Sequence, residues 1–312
     1  MKLIVTGSIA FDYLMSFPGK FTEHFLPEHM SRVSLSFLVD SMDKRRGGCA
    51  PNIAYTLALL GETPMLMAAA GEDFGDYRAW LDAAGIDTSL VRVVDNKFTA
   101  SFFCSTDTAN NQIASFYTGA MAHAAELSFR TVERPDLVII SPNDPAAMTQ
   151  YAEECRALDI KYIFDPGQQC ARMSGSELAD GLNGAELLIC NDYEFELIRQ
   201  KTGLSEEDVL RQAGVLVVTR GEKGSTVMRR DGARVEALAV PPTRIADPTG
   251  VGDAYRGGFM KGLAMGAPDE VCARLGSVAA TYCLEHLGGT AHAYSWKEFT
   301  ARYEKHFGLL PG

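Results

Sequence analysis

Residues 247–262 read DPTGVGDAYRGGFMKG, a glycine turn followed at once by an acid. Gly250 and Gly252 carry no side chain, so backbone there can close up against a ligand. A helix beginning at this turn would offer unpaired N–H groups and a partly positive end, which together form an anion site. Donors of that kind hold a phosphoryl group as charge develops on it. Asp253 would stand beside them as the acceptor of a proton from an attacking hydroxyl. An ionised carboxylate is a weak base, which suffices for phosphoryl transfer because positioning and charge neutralisation dominate that reaction. The same letters also describe an ordinary Asp helix cap after a turn.

Two further stretches carry groups suited to a ligand. In RRGGCAPNIAYTLALLG (45–61), Gly47 and Gly48 permit close approach of a polyhydroxylated molecule, and Asn52 offers donors and an acceptor. A tight turn leading into a buried helix would read identically. In ICNDYEFELI (189–198), Asn191 and Glu194 fall on one face of a first helical turn. They could orient waters bound to Mg²⁺, which usually keeps several; an Asn cap with a glutamate three residues on gives the same spelling.

Other chemistries lack their signatures. The chain has no Walker A loop, since GEKGST at 221–226 has the letters in the wrong order, and no G-x-G-x-x-G follows the first apolar run. A dehydrogenase reading thereby loses its main support. There is no H-E-x-x-H, no histidine cluster with metal-ligand spacing and no G-x-S-x-G elbow. The net charge of −11 contains no long block of one sign, so the basic footprint of a nucleic-acid binder is missing. Seven scattered cysteines without a C-x-x-C pair suit reduced, buried thiols and predict a cytoplasmic location. Gly7 and Asp12 interrupt the apolar amino-terminal run, so LIVTG reads as a buried strand rather than a signal peptide, and no stretch is long enough to span a membrane.

The elements that must position these groups follow from the apolar runs. LIVTGS (3–8), LVIISPND (137–144), YIFDPGQQ (162–169), LLICNDYE (187–194) and LVVTRGEKG (216–224) each end abruptly in polar residues, as strands buried on both faces do. Helical stretches at 145–159 and 191–200 lie between them, and three more are expected near 252–265, 269–286 and 296–305. Alternating strands and helices predict a doubly wound, mostly parallel α/β sheet flanked by helices, whose ligands lie beyond the carboxyl ends of the strands. Ser8, Asn143, Asp165, Gln168, Gln169, Asn191, Glu194, Thr219 and Arg220 all fall at such ends. Residues 31–39, where Val33, Leu35, Phe37 and Val39 alternate with polar neighbours, and residues 98–117 read instead as half-exposed antiparallel strands. They predict a small β-sheet lid inserted in two pieces, about 11–46 and 96–121, into a single 1–312 domain.

The combination GGCAPN, NDYE, TRGEKG and DPTGVGDAYRGGF, in this order, resembles the ribokinase-like (PfkB-type) family of sugar and nucleoside kinases along nearly the whole chain. The stretches GSIAFDYLMSFPGKF, LPEH before VSLSFLV, QIASFYTGAM, DPGQQ and NDYE are similar to bacterial adenosine kinases and the broad-range nucleoside kinases of that family. The resemblance implies a ribokinase-like fold and ATP-dependent phosphorylation of a nucleoside 5′-hydroxyl, with adenosine as the leading acceptor. By that resemblance Asp253 is the base, and the backbone of Gly250, Val251 and Gly252 is the anion hole. Asp12, Gly48 and Asn52 hold the ribose. Phe102, Phe116 and Met121 border the base, with Ser8, Gln168 and Gln169 as polar contacts, and Phe37 reaches either the base or a neighbouring subunit. Asn191 and Glu194 organise Mg²⁺ and phosphate, Thr219, Arg220, Gly221 and Gly224 line the ATP strand-loop, and Asp247 is a candidate K⁺ ligand. ATP and Mg²⁺ are the implied cofactors, and the implied partners are small molecules and a second copy of the chain through the lid. The alternatives from the same residues are a sugar kinase or a broad-specificity nucleoside kinase, and, from another class, a nucleotide-sensing protein without catalysis. Fold alone does not separate these.

Overall fold

The computed structural model describes residues 1–25 and 34–311. The first half of the chain contains strands β1 (Leu3–Thr6), β2 (Ala10–Ser16) and β3 (Ser41–Gly47), then helix α1 (Cys49–Leu59) and strand β4 (Met65–Gly71). Next come α2 (Gly75–Ala83), β5 (Val91–Val94), β6 (Ala100–Thr106), β7 (Gln112–Tyr117) and β8 (Leu137–Ile140). The second half runs α3 (Pro145–Ala157), β9 (Tyr162–Phe164), α4 (Gly175–Leu182), β10 (Leu187–Asn191), α5 (Asp192–Thr202), α6 (Glu206–Ala213) and β11 (Val215–Thr219). Strands β12 (Ser225–Arg229) and β13 (Arg234–Ala237) and helices α7 (Val251–Ala264), α8 (Asp269–Leu284) and α9 (Trp296–Phe307) complete it.

Nine strands form one sheet in the order β13-β12-β11-β10-β9-β8-β1-β4-β5. From β11 to β5 every pairing is parallel, and only β12 and β13 are antiparallel. The five apolar runs recognised in the sequence are β1 and β8 to β11, all central strands. Alternation along them sorts their side chains between two cores. Val5, Ile139, Ile163, Ile189 and Val217 face α1, α2, α7 and α8 through Ile53, Leu57, Tyr77 and Phe259. Ile4, Val138, Phe164, Leu188 and Leu216 face α3 to α6 through Met148, Tyr151, Leu178, Ile198 and Val209. The mostly parallel doubly wound sheet is therefore as expected. Chain order reverses beside β1, whose neighbours are β4 on one side and β8 on the other, so a crevice opens beyond their carboxyl ends.

A separate four-stranded sheet, β3-β2-β6-β7, forms the lid. Its β2–β6 pairing is parallel, and the other two pairings are antiparallel. One expectation fails here. Residues 34–39 have no regular structure, and the lid strand from this region is β3, Ser41–Gly47. The alternation over 34–39 does not make a strand: Phe37 packs into a small aromatic cluster with Phe17, Phe21 and His24 rather than onto a ladder. Residues 31–33, with Val33, and the LPEH stretch lie outside the described residues.

Ile139 is wholly buried in the central strand β8. Ile139→Ala is expected to lower the unfolding free energy by about 2–5 kcal/mol in urea denaturation. A loss under about 1 kcal/mol would show that the site collapses freely and is not part of a packed core.

Candidate active site

The first turn of α7 is the centre of the site. Gly250 precedes the helix in the left-handed region, φ 76°, and a β-carbon there would sit 2.5 Å from Gly289 Cα. Asp253 is therefore not the helix cap; it is the third helical residue, and its side chain makes no capping bond. Its Oδ2 instead accepts a 2.8 Å hydrogen bond from Asn52 Nδ2. The amides of Gly250, Gly252 and Asp253 belong to the first turn, where no intrahelical carbonyl is available. The Val251 N–H is partly engaged, 3.3 Å from Pro248 O, so the anion hole expected over Gly250–Gly252 narrows to its flanking glycines.

A cavity of about 650 Å³ surrounds this turn. Its lining brings together Ser8, Asp12, Gly48, Asn52, Phe102, Phe116, Met121, Gln168, Gln169, Asn191, Glu194, Thr219, Gly250, Gly252 and Asp253, groups drawn from both sheets and five strand ends. The lid delivers its share in one cross-strand row. Arg45 of β3 pairs with Asp12 of β2, Asp12 with Phe102 of β6, and Phe102 with Phe116 of β7. Directly opposed residues share a face of the sheet, so one row presents a carboxylate and two rings to the same space. Asn52 Oδ1 and Gln169 Oε1 are buried without a hydrogen-bond partner among the described residues. Both residues line the cavity, but these two oxygens are themselves enclosed.

A second cavity, about 570 Å³, lies on the other side of the turn. Thr219, Gly221 and Gly224 line it, together with Val251 and the apolar side chains of Pro242, Ile245, Ala280 and Leu284. Asn191, Thr219 and Gly252 belong to both walls, so the cavities meet at the start of α7. The apolar residues of this second wall escape sequence reading because they come from an irregular segment and from α8, which carry no motif.

Three expected site residues stand elsewhere. Phe37 is in the aromatic cluster at the far end of the lid. Arg220 turns outward to pair with Glu236. Asp247 lies behind the turn, where Oδ1 accepts from Thr249 N at 2.9 Å and Oδ2 from Gly288 N at 3.0 Å and Arg45 Nη1 at 3.2 Å. The charge that K⁺ would supply at Asp247 is already supplied by Arg45, so these residues do not fit an alkali ion.

Asn191 and Glu194 do form a capping box, with Glu194 N to Asn191 Oδ1 at 2.7 Å and Asn191 N to Glu194 Oε2 at 2.8 Å. The capping reading holds for this pair, and the capped residues also line the cavity. Among the described residues no three Asp, Glu, His or Cys side chains are grouped to hold a metal directly. The pair would suit a hydrated Mg²⁺, whose waters Glu194 would accept from.

The sequence reading missed two cations on the cavity wall, Arg172 and Arg256. Arg256 is buried and makes a two-pronged ion pair with Asp165, Nη2 to Oδ1 being 2.6 Å; Glu194 Oε2 is 3.9 Å from the same nitrogen. These charges set the state of the base. Burial pushes the Asp253 carboxyl up to about 7, while Arg256 and the Asn52 hydrogen bond oppose the rise and Asp165 and Glu194 add to it. The carboxyl therefore stands above the ordinary carboxylate range, where the sequence alone led to the expectation of an ionised group. Asp12 is also raised, to about 6, by burial and the nearby Asp247, with Arg45 opposing.

Comparison with known proteins agrees with this geometry. The family model described as pfkB family carbohydrate kinase matches residues 9–296. The nucleoside kinase of Methanothermobacter thermautotrophicus is 29% identical over 314 residues, covering 99% of this chain and 97% of the relative. The structure of Burkholderia thailandensis nucleoside kinase in complex with inosine matches with a TM-score of 0.88 at 37% identity, covering 99% of each chain. The crystal structure of the nucleoside kinase of Methanocaldococcus jannaschii matches with a TM-score of 0.88 at 28% identity, over 98% of this chain and 99% of that one.

Asp253 must be unprotonated to accept a proton, so kcat/KM is expected to fall as pH drops through about 7. Asp12 adds a second loss near pH 6. Asn52→Ala removes a bond that favours the ionised form, so the acidic limb moves to higher pH. A pH–rate profile that stays flat down to about pH 5 contradicts this assignment of the base.

Proposed function

The chain belongs to the pfkB family of carbohydrate kinases, phosphotransferases with a hydroxyl acceptor, and we propose that it transfers the γ-phosphoryl group of ATP to the 5′-hydroxyl of a nucleoside. The observation that carries this reading is the meeting of two cavities at one helix start. The apolar cavity beside Thr219, Gly221 and Gly224 suits the donor nucleotide. The cavity bearing Asp12, Asn52 and the two phenylalanines suits the acceptor. At their junction the acceptor hydroxyl approaches Pγ beside Asp253. The O5′–Pγ bond forms as the bond from Pγ to the bridging oxygen breaks, the hydroxyl proton passes to Asp253, and ADP leaves with the electron pair. A hydrated Mg²⁺ near Glu194 would draw charge from the phosphate oxygens when bound. The lid sheet closes over the acceptor and excludes water that would otherwise hydrolyse ATP.

Phe102 and Phe116 support a nucleoside over a free sugar, because ribose alone would leave both rings facing water. Stacking a base on an aromatic ring contributes about 1–3 kcal/mol and tolerates any base. Gln168 and Gln169 carry amides able to donate and accept, so the wall favours breadth among purine nucleosides, with adenosine and inosine both accommodated. The inosine complex of the Burkholderia relative supports the same breadth. A non-catalytic nucleotide sensor would have no use for a carboxyl poised near neutrality beside open amides.

We extend the proposal to a homodimer through the lid. All six residues of the edge strand β7 are exposed, including Ile113 and Tyr117, and its outer edge is unpaired among the described residues. Sedimentation that finds only monomer at micromolar concentration removes this part.

With ATP and Mg²⁺, turnover is expected with adenosine, inosine and guanosine and far slower turnover with ribose or fructose. Asp253→Asn should lower kcat by about 10²–10⁴-fold with ATP binding largely retained. Equal rates on ribose and adenosine would overturn the role of the rings. An Asp253→Asn enzyme within about tenfold of the parent would remove Asp253 from the base role.

A further inference from the structure

Arg256 is buried at 7% exposure, and Asp165 beside it is fully enclosed. Nε and Nη2 of the guanidinium are committed to the two oxygens of Asp165, with Glu194 Oε2 near Nη2. The third nitrogen, Nη1, has no hydrogen-bond partner among the described residues. It is also not sealed in the interior, as the buried, partnerless nitrogens Arg78 Nε and Arg220 Nε are, and Arg256 lines the acceptor cavity. Nη1 lies against the anion turn: a β-carbon built on Gly252 would come within 2.9 Å of it. Arg256 is three residues beyond Asp253 on α7, so base and cation share a helix face.

Charge gives this placement a task. A phosphoryl group crossing from one cavity to the other passes among Asp165, Glu194 and Asp253, three carboxyl groups that would repel it when ionised. A guanidinium keeps its charge at any working pH, and two-pronged pairing fixes its plane. Asp165 neutralises part of that charge while leaving one N–H edge directed to the cavity.

We propose, on the reading of the cavity as a phosphoryl-transfer site, that Arg256 is a catalytic residue: Nη1 donates to a non-bridging oxygen of the phosphoryl group in passage, and Asp165 is the positioning residue that orients the guanidinium. Gly252 then has two roles, offering its amide and leaving the gap through which Nη1 reaches the same oxygen set. The negative charge that accumulates on the phosphoryl oxygens meets a backbone donor on one side and a fixed cation on the other.

The test compares the parent enzyme with Arg256→Gln, Arg256→Lys and Asp165→Asn. Three quantities are measured: kcat with a nucleoside that the parent phosphorylates, nucleoside affinity without ATP, and affinity for ADP with aluminium fluoride and nucleoside as a mimic of the transferring group. Arg256→Gln is expected to lose about 10²–10³-fold in kcat, the loss typical of one removed transition-state donor. It should lose affinity for the fluoride mimic in parallel while nucleoside affinity changes by less than about threefold. Arg256→Lys should recover part of both losses. Asp165→Asn should lower kcat by less than Arg256→Gln does. If Arg256→Gln fails to fold, the double variant Asp165→Asn with Arg256→Gln, which leaves no unpaired buried charge, carries the same comparison. A folded variant lacking Arg256 with kcat within about threefold of the parent overturns the proposal, as does a fall in kcat with affinity for the mimic unchanged. A parent enzyme that phosphorylates no nucleoside overturns the underlying reading and this inference with it. Parent turnover matched by Arg256→Gln overturns the inference alone.

Discussion

The ion pair between Arg256 and Asp165 joins the end of a central strand to the helix that carries Asp253. Both partners are buried, and breaking such a pair by removing one of them typically costs about 3–5 kcal/mol, because the survivor is left as an uncompensated charge. That cost fixes α7 against β9, and α7 in turn fixes the one turn at which both cavities open. Everything the site does depends on this registration. Asp253, the open amides and Arg256 lie within the first two turns of a single helix, so none can shift relative to the others. The large sheet supplies rigid ends for that helix to rest on, and its two cores hold the ends in place.

The lid meets this rigid floor through another cation. Arg45 heads the cross-strand row that carries Asp12, Phe102 and Phe116, and it also reaches Asp247, whose oxygens hold the amides of Thr249 and Gly288. The row that faces the acceptor is thus tied to the loop leading into the anion turn. Chemistry follows from this linkage. The sheet places apolar rings over the cavity, and burial at the start of α7 raises the Asp253 carboxyl above its ordinary range. Burial holds both Asp12 and Asp253 above the ordinary carboxylate range.

The sequence disclosed the parts of this machine whose signals are local. Buried central strands are continuous apolar runs, so β1 and β8 to β11 were legible, as were helices near 145, 192, 252, 269 and 296. β4 was not, because its run of Ala68, Ala69 and Ala70 has no strand preference of its own and becomes a strand only by lying beside β1. Residues 34–39 differ for the opposite reason: their alternation has the period of a strand, but Phe37 packs against aromatic residues of the same lid corner. In the site, Asp253, Asn52, Asn191 and Glu194 stand in short motifs with defined spacing and could be picked out. Arg256 is printed within one of those motifs, yet its meaning depends on Asp165, 91 residues earlier, which only the fold brings to it. Arg220 and Asp247 sit in motifs too, and the fold turns both away from the cavity. Motif membership located the turn, whereas the direction of each side chain was decided by tertiary contacts.

The decisive experiment is a structure of the protein with a nucleoside and a non-hydrolysable ATP analogue. Phosphoryl transfer at the start of α7 requires a 5′-oxygen within about 2.6–3.2 Å of an Asp253 oxygen, a γ-phosphate on the Gly252 amide, and the base against Phe102 and Phe116. A nucleoside bound with its 5′-oxygen turned away from Asp253, or an analogue whose γ-phosphate lies far from the start of α7, would contradict it.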